Sequence, residues 1–283
     1  MNKNAKFDLC CYDDKYNGLR LPFMKALAIM ACADKVENLV LGSSHGGYGY
    51  IPQPNEFNLC FPSEDLYYSN ALYRKYKNKL SNLQNIILFY SIFSPGSSLI
   101  KSSENWRCCH YKMAFGINSP SKDFDKLIEL QTELIKKQKD YFEIANIKPK
   151  TDYRGANIDL KGKAMTPIKN VAALRKRVLS HIKCNLRNHD QNKYLKKLIE
   201  AGHKDGRNVF IVISPLRKEF RDYLANYEVL FDDLLKITKE YKVRILNFFE
   251  DKRFKAEDFF DYDHLNLAGA EKLTNYIRKE IYS

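Results

Sequence analysis

Asn38-Leu39-Val40-Leu41-Gly42-Ser43-Ser44-His45-Gly46-Gly47 carries a short apolar run straight into a turn of glycine and serine. An apolar stretch that does not alternate with polar residues reads as a strand buried on both faces, the habit of parallel sheets. Four further runs share this character, at 57–60, 85–93, 208–214 and 242–248. Helical patterns lie around them at 21–38, 64–80, 122–146, 167–187, 191–203, 217–241 and 265–282. In 122–146, Phe124, Leu127, Ile128, Leu130, Leu134 and Ile135 recur at three- and four-residue intervals, with Lys136 and Lys137 off the stripe. Thr166 before Pro167 suits the opening of another helix, a cap followed by a residue whose fixed φ fits the first turn. Strands alternating with helices predict an α/β fold: three layers, α/β/α, around a mainly parallel five-stranded sheet.

The spacing of the runs is uneven. The third and fourth strands lie about 115 residues apart, far more than one crossover helix needs. The expected organisation is an α/β domain formed by residues 1–93 and 188–283, interrupted by a helical, basic insertion at 94–187. At 283 residues the chain is long enough to bury such a core. Ligands of open α/β sheets bind at the carboxyl ends of the strands, so the insertion should overhang that edge.

Lys and Arg number 47 against 34 Asp and Glu, a formal net charge of +13, and the excess is local. Between Lys148 and Arg207, sixteen basic residues face five acidic ones, with Arg175-Lys176-Arg177 the densest point. Such a field suits a polyanion or an anionic surface, peripheral contact with a membrane included; a solvated helix face is the plain alternative. The basic residues are not interleaved with stacking aromatics in a nucleic-acid motif, so nucleic acid is not favoured. No apolar run reaches the roughly 18 residues of a membrane-spanning helix. The first eight residues lack an apolar core followed by a cleavage site, so no signal peptide and a cytoplasmic location are expected. The seven cysteines (Cys10, Cys11, Cys32, Cys60, Cys108, Cys109 and Cys184) are odd in number and partly vicinal, which reads as free thiols rather than a metal site. Nothing in the sequence fixes an oligomeric state.

About 220 residues after the first turn stands Asp261-Tyr262-Asp263-His264-Leu265-Asn266, at the mouth of the last helical pattern. A serine hydroxyl is a poor nucleophile until an imidazole takes its proton, and the imidazole needs a carboxylate to orient it and stabilise its charged form. Three residues of separation let Asp261 and His264 face each other across one turn. Asp261 or Asp263 can equally serve as a cap, accepting from free N–H groups of the helix. His45, adjacent to Ser44, is expected to diverge from it.

The order Ser…Asp-x-x-His resembles the SGNH (GDSL-type) hydrolase superfamily. Gly42-Ser43-Ser44 stands where that family has Gly-Asp-Ser, and Asp261 and His264 match its Asp-x-x-His. Phe57 to Asp65 stands where the oxyanion-hole glycine is carried, with Ser63 or a neighbour in the glycine's place. The family's Gly-x-Asn-Asp block has no counterpart, since 85–93 runs into Ser94-Pro95-Gly96-Ser97-Ser98. The resemblance implies an SGNH/flavodoxin-like sheet, with Ser44 as nucleophile, His264 as general base and Asp261 orienting it. Ser63, Ser94 and Gly46 are then candidates for holding the oxyanion or substrate, and Arg175, Lys176 and Arg177 for holding an anionic acceptor. No metal or resident cofactor is implied; acetyl-CoA would be the donor substrate. Divergent branches that O-acetylate or deacetylate bacterial polysaccharides have a similar look. The expected function is O-acetylation of an anionic, capsule-like glycan, with a carbohydrate esterase or a catalytically silent glycan-binding fold as alternatives.

Overall fold

The computed structural model describes residues 18–138, 141–156, 170–224 and 227–282. Five strands, β1 (Asn38–Gly42), β2 (Glu56–Asn58), β3 (Asn85–Phe89), β4 (Asn208–Ile213) and β5 (Arg244–Asn247), form one all-parallel sheet in the order β2-β1-β3-β4-β5. This is the doubly wound, flavodoxin-like order. The described helices are α1 (Arg20–Ala31), α2 (Ser44–Gly49), α3 (Leu66–Tyr76), α4 (Cys108–Phe115), α5 (Lys122–Lys136), α6 (Tyr141–Ala145), α7 (Val171–Asn185), α8 (Asn192–Lys204), α9 (Lys218–Arg221), α10 (Asp232–Tyr241) and α11 (Leu267–Ile281).

The unbroken apolar strands are explained by cover on both faces. Leu39, Leu41, Ile86, Leu88, Val209 and Ile211 point into a cluster with residues of α1, α3, α8 and α10. Their neighbours Val40, Ile87, Phe89, Val212 and Leu246 point the other way, against Leu273 and Ile277 of α11. Side-chain alternation along each strand thus feeds two apolar layers, which completes a three-layer α/β/α fold.

The amino ends of four strands are tied by polar side chains. Asn208 Nδ2 donates to Asn85 Oδ1 at 2.9 Å, Asn85 Nδ2 to Asn38 Oδ1 at 2.7 Å, and Asn38 Nδ2 to Glu56 Oε1 at 3.1 Å. Arg278, near the end of α11, closes the chain on Glu56 Oε2 at 2.6 Å. The backbone registers pair Asn38 with both Glu56 and Asn85, and Asn85 with Asn208. The ladder pins register at one edge of the sheet; the opposite edge carries the candidate chemistry.

Several element boundaries differ from the sequence reading, each for a local reason. The helix expected over 217–241 is broken into α9, a 3-10 turn at Tyr227–Phe231 and α10; Leu224 and Phe231 are both buried on either side of the break. Lys242 caps α10 in a left-handed conformation, φ 54°, so β5 starts only at Arg244. The helix expected over 122–146 is divided into α5 and α6, and that over 21–38 ends at Ala31, followed by a 3-10 turn at Ala33–Lys35. Thr166 and Pro167 lie outside the described residues, as do residues 1–8, Cys10 and Cys11. The described part of α7 opens on Asn170, whose side chain accepts from the Ala173 N–H at 2.9 Å. Cys32, Cys60, Cys108, Cys109 and Cys184 are free thiols.

The 94–187 excursion packs onto the body of the molecule. Leu99, Cys108, Tyr111, Phe115, Ile128, Leu174 and Val178 belong to the same apolar cluster as the sheet residues. The Asn58 N–H donates to the Arg154 carbonyl at 2.8 Å, so the excursion also runs along the outer edge of β2. Asn185, the last residue of α7, donates to the carbonyls of Ile92 and Leu230. Those contacts hold α7 beside the carboxyl end of β3.

Candidate active site

The turn after β1 is built around Gly42. Its φ is +122°, and a Cβ there would lie 2.5 Å from the Phe89 carbonyl oxygen of the neighbouring strand. Only glycine fits such a backbone and so close an approach. Ser43 follows in extended conformation, and Ser44 opens α2. The turn is supported from below: Glu64 Oε1 accepts from the Gly42 N–H at 3.3 Å and from Ser69 Oγ at 2.5 Å, while Glu64 Oε2 accepts from Tyr111 OH at 3.1 Å. Burial pushes the Glu64 carboxyl up to about 8 against these donors and nearby Lys25. Lys25, itself fully buried, donates to the Cys60 carbonyl at 2.5 Å.

At the other end of the chain, an antiparallel bridge between Phe259 and Leu265 closes a small loop, and the Asn266 side chain caps α11 by accepting from the Gly269 N–H at 3.0 Å. Within the loop, Asp261 Oδ1 accepts the backbone N–H groups of Asp263 at 3.0 Å and His264 at 2.8 Å. This aims Asp261 Oδ2 at His264 Nδ1, 2.8 Å away, and leaves His264 Nε2 2.8 Å from Ser44 Oγ. Ser44, His264 and Asp261 are therefore brought into one hydrogen-bonded line across 220 residues of chain. Cap duty falls to Asn266, not to Asp263.

Asp263 is instead a buried anion with several cationic or donor neighbours. Its Oδ2 accepts from Arg177 Nε at 3.1 Å and NH2 at 3.0 Å, and lies 3.3 Å from His45 Nε2 and 3.4 Å from His181 Nε2. His45 turns away from Ser44, as adjacent residues on a turn do, and its Nδ1 meets Ser91 Oγ at 2.5 Å. Burial works against charge on Asp263, yet His264, His45, His181 and Arg177 hold it well below the usual carboxylate range. Burial pushes His45 down and His181 down to about 3, so both stay neutral at neutral pH. For His264 burial is outweighed by the carboxylates of Asp263 and Asp261, and its basicity is raised above that of an ordinary imidazole. Asp261 stays ionised below the usual range because His264 outweighs its burial.

His45, Asp263 and His264 place ligand-type atoms within 4.8 Å of one another, the one such group of three among the described residues. The guanidinium of Arg177 already lies on Asp263 Oδ2, and its fixed positive charge opposes a divalent cation there. The donor set does not fit a metal.

The remaining sequence candidates divide. Ser63 sits after β2 with φ +57°, a left-handed conformation that glycine adopts most readily, and its hydroxyl donates to Glu104 Oε2 at 2.9 Å. Its loop is tied to the Gly42–Ser44 turn by the Phe61 N–H donating to the Gly42 carbonyl at 3.1 Å. The N–H of Ser44, at the first position of α2, has no intrahelical acceptor and could serve as a donor to a bound group. Gly46 does not serve this role: its N–H donates to the Ser43 carbonyl at 3.0 Å, and a Cβ there would meet Cys60 Sγ at 2.6 Å. It is a packing glycine. Ser94 folds back on its own turn, its hydroxyl accepting from the Ser91 N–H at 2.9 Å. Of the basic triplet, Arg177 enters the site, Arg175 lies over the Tyr223 ring at 5.4 Å, and Lys176 is exposed.

Sequence reasoning missed Asp263, His45, His181 and Ser91 as parts of the site. A faint signal existed, since Arg177 and His181 are four residues apart and share one face of α7. Searched against protein-family models and curated proteins, the sequence matches none.

Proposed function

We propose that this chain is an SGNH-type serine enzyme that transfers acyl groups to a carbohydrate. The observation that carries the reading is the line Ser44 Oγ–His264–Asp261, with both hydrogen bonds at 2.8 Å, at the carboxyl edge of a parallel sheet. Ser44 Oγ attacks the acyl carbonyl while His264 Nε2 takes its proton, and the imidazolium is stabilised by the aspartates. The oxyanion forms beside the backbone N–H groups of Ser44 and Ser63. Collapse expels the leaving group, which takes the proton from His264. An acceptor hydroxyl, deprotonated by the same imidazole, then attacks the acyl-Ser44 ester and frees the serine.

We take the donor to be acetyl-CoA, the acceptor to be a hydroxyl of an anionic bacterial glycan of the capsule kind, and the location to be the cytoplasm, where that donor is made. Arg175 and Lys176, presented on the helix that delivers Arg177, support an anionic acceptor. No described helix is long and apolar enough to cross a membrane. Water in the acceptor's place would make the same acyl-enzyme an esterase.

A fluorophosphonate probe tests the chemistry: it should label the wild type and fail on Ser44→Ala. Acetyl-CoA consumption with and without anionic glycan then separates transfer from hydrolysis. Absence of labelling in the folded wild type would end the enzyme reading; consumption that ignores glycan would leave only an esterase.

A further inference from the structure

Two carboxylates lie within reach of the same imidazole nitrogen, and they are not equivalent. Asp261 Oδ2 is 2.8 Å from His264 Nδ1, while its Oδ1 is spent on two backbone N–H groups. Asp263 Oδ1 is 3.6 Å from the same nitrogen, fully buried, and without a hydrogen-bond partner among the described residues. The side chain of Asp261 is 32% exposed and that of Asp263 only 1%. A buried carboxylate oxygen is costly to leave unpaired, so its orientation toward His264 calls for a compensating charge.

We propose that Asp263 is a second positioning carboxylate for His264, acting from the interior while Asp261 acts from the solvent side. The inference rests on the acyl-transfer reading above for its role in turnover, though not for its geometry. When the Ser44 O–H bond breaks and the N–H bond forms at His264 Nε2, positive charge appears on the ring. The Nδ1 proton stays on nitrogen, hydrogen-bonded to Asp261, and neither carboxylate is protonated. Asp263 meets that charge through low-dielectric surroundings, where Coulomb attraction is screened less than at Asp261. Arg177, paired with Oδ2, offsets part of this support, since the carboxylate charge is shared by both oxygens, but its side chain is 41% exposed and its charge is the better screened of the two.

The groups facing His264 are Asp261 and Asp263 on its own loop, His45 and Tyr48 on α2, and Arg177 and His181 on α7. With His45 and His181 held neutral, the fixed charges are the two aspartates and Arg177. Two negative charges against one positive leave the imidazolium favoured. The neutral histidines serve Asp263 as hydrogen-bond or dipolar partners that hold it in place without neutralising it.

The test is the titration of the His264 ring by NMR, together with the acid limb of the kcat/KM profile, in wild type, Asp261→Asn and Asp263→Asn. In the wild type, His264 should titrate above the ordinary value of about 6.5. Removing a carboxylate removes support for the imidazolium, so Asp263→Asn should lower the His264 pKa by about one unit or more. The acid limb should move to lower pH by the same amount, and plateau turnover should fall about 100-fold. A merely structural aspartate would lower the amount of active enzyme and leave the limb in place. If Asp263→Asn fails to fold because Arg177 is left unpaired, Asp263→Asn with Arg177→Gln is compared with Arg177→Gln alone, and the His264 pKa should be lower in the double variant. Overturning results are a wild-type His264 at or below 6.5, or a His264 titration moved by Asp261→Asn and untouched by loss of Asp263. If fluorophosphonate labelling fails while the His264 shift is observed, the acyl-transfer reading falls and the carboxylate pairing stands.

Discussion

Ser43 and Ser44 are chemical twins with different surroundings, and the difference predicts their variants. Ser44 Oγ is bonded to His264, so Ser44→Ala should lower turnover by about 1,000-fold or more while the melting temperature stays put. Ser43 Oγ is buried without a hydrogen-bond partner among the described residues, and removing an unsatisfied hydroxyl costs little. Ser43→Ala should therefore keep activity and hold or slightly raise the melting temperature. A reversal of the two results would move the nucleophile by one residue. Gly42→Ala should fail differently: its φ of +122° and the 2.5 Å approach to Phe89 predict loss of folded protein, read by circular dichroism before any assay.

On the proposed acyl-transfer reading, helix α7 is the element on which specificity and chemistry meet. Arg177 and His181 point to Asp263, while Arg175 and Lys176 face outward. Reversing Arg175 and Lys176 together to Glu should raise KM for an anionic polymer and weaken its dependence on salt, because screened attraction carries that contact. Turnover of p-nitrophenyl acetate should be unchanged. Polymer kinetics indifferent to both salt and charge reversal would reduce the triplet's outer residues to a solvated face. The same helix shows where sequence reading stops. The five strands and the Ser44, Asp261 and His264 set were legible because each lies in a contiguous motif or an unbroken apolar run. Arg177 and Asp263 meet across 86 residues, and nothing local marks an arginine that will bind a buried carboxylate. Asp263 was read as a cap because an acid before a helix usually is one; Asn266 took that place three residues later. The break between α9 and α10 was hidden because apolar spacing continues through it, and Ser94 because a serine looks alike whether its hydroxyl is spent or free.

For the molecule as a whole, buried histidines and buried carboxyls of opposite effect set the response to acid. His181 titrates at about 3 in the fold against about 6.5 when unfolded, so its contribution to stability is present above about 6.5 and is lost as pH falls toward 3. His45 is shifted in the same direction. His264, raised, has the opposite sign: its contribution is full below about 6.5 and fades as pH rises through its folded value. The depressed Asp261 and Asp263 lose theirs only as pH falls below the ordinary carboxylate value, outside this window. The contribution of His264 is already full below about 6.5, so it does not oppose His45 and His181 there; Glu64, raised to about 8, and Asp65, raised to about 6, do, because burial favours their protonated forms in the fold. The loss from two histidines and the gain from two carboxyls largely offset, so His181→Gln should tilt the melting temperature upward between about pH 6.5 and 4 relative to wild type. A profile of equal slope in both proteins would remove His181 from this balance.

The asparagine ladder sits at the amino ends of the strands whose carboxyl ends lead to Ser44. Replacing Asn85 by Leu strands the buried Asn38 side-chain carbonyl, at about 1–3 kcal/mol, while the exposed Asn208 amide turns to water. The Ser44–His264–Asp261 line would keep its geometry, and at about 2–4 °C per kcal/mol the melting temperature should fall measurably. Under the proposed acyl transfer, a geneticist would thus find two kinds of allele in one gene: null alleles at Ser44 that accumulate as normal, inert protein, and heat-sensitive alleles at Asn85 that behave as wild type in the cold. Because the two lesions lie at opposite ends of the same strand layer, each serves as the control for the other, and a phenotype seen with only one of them reveals whether the cell needs the reaction or merely the presence of the protein.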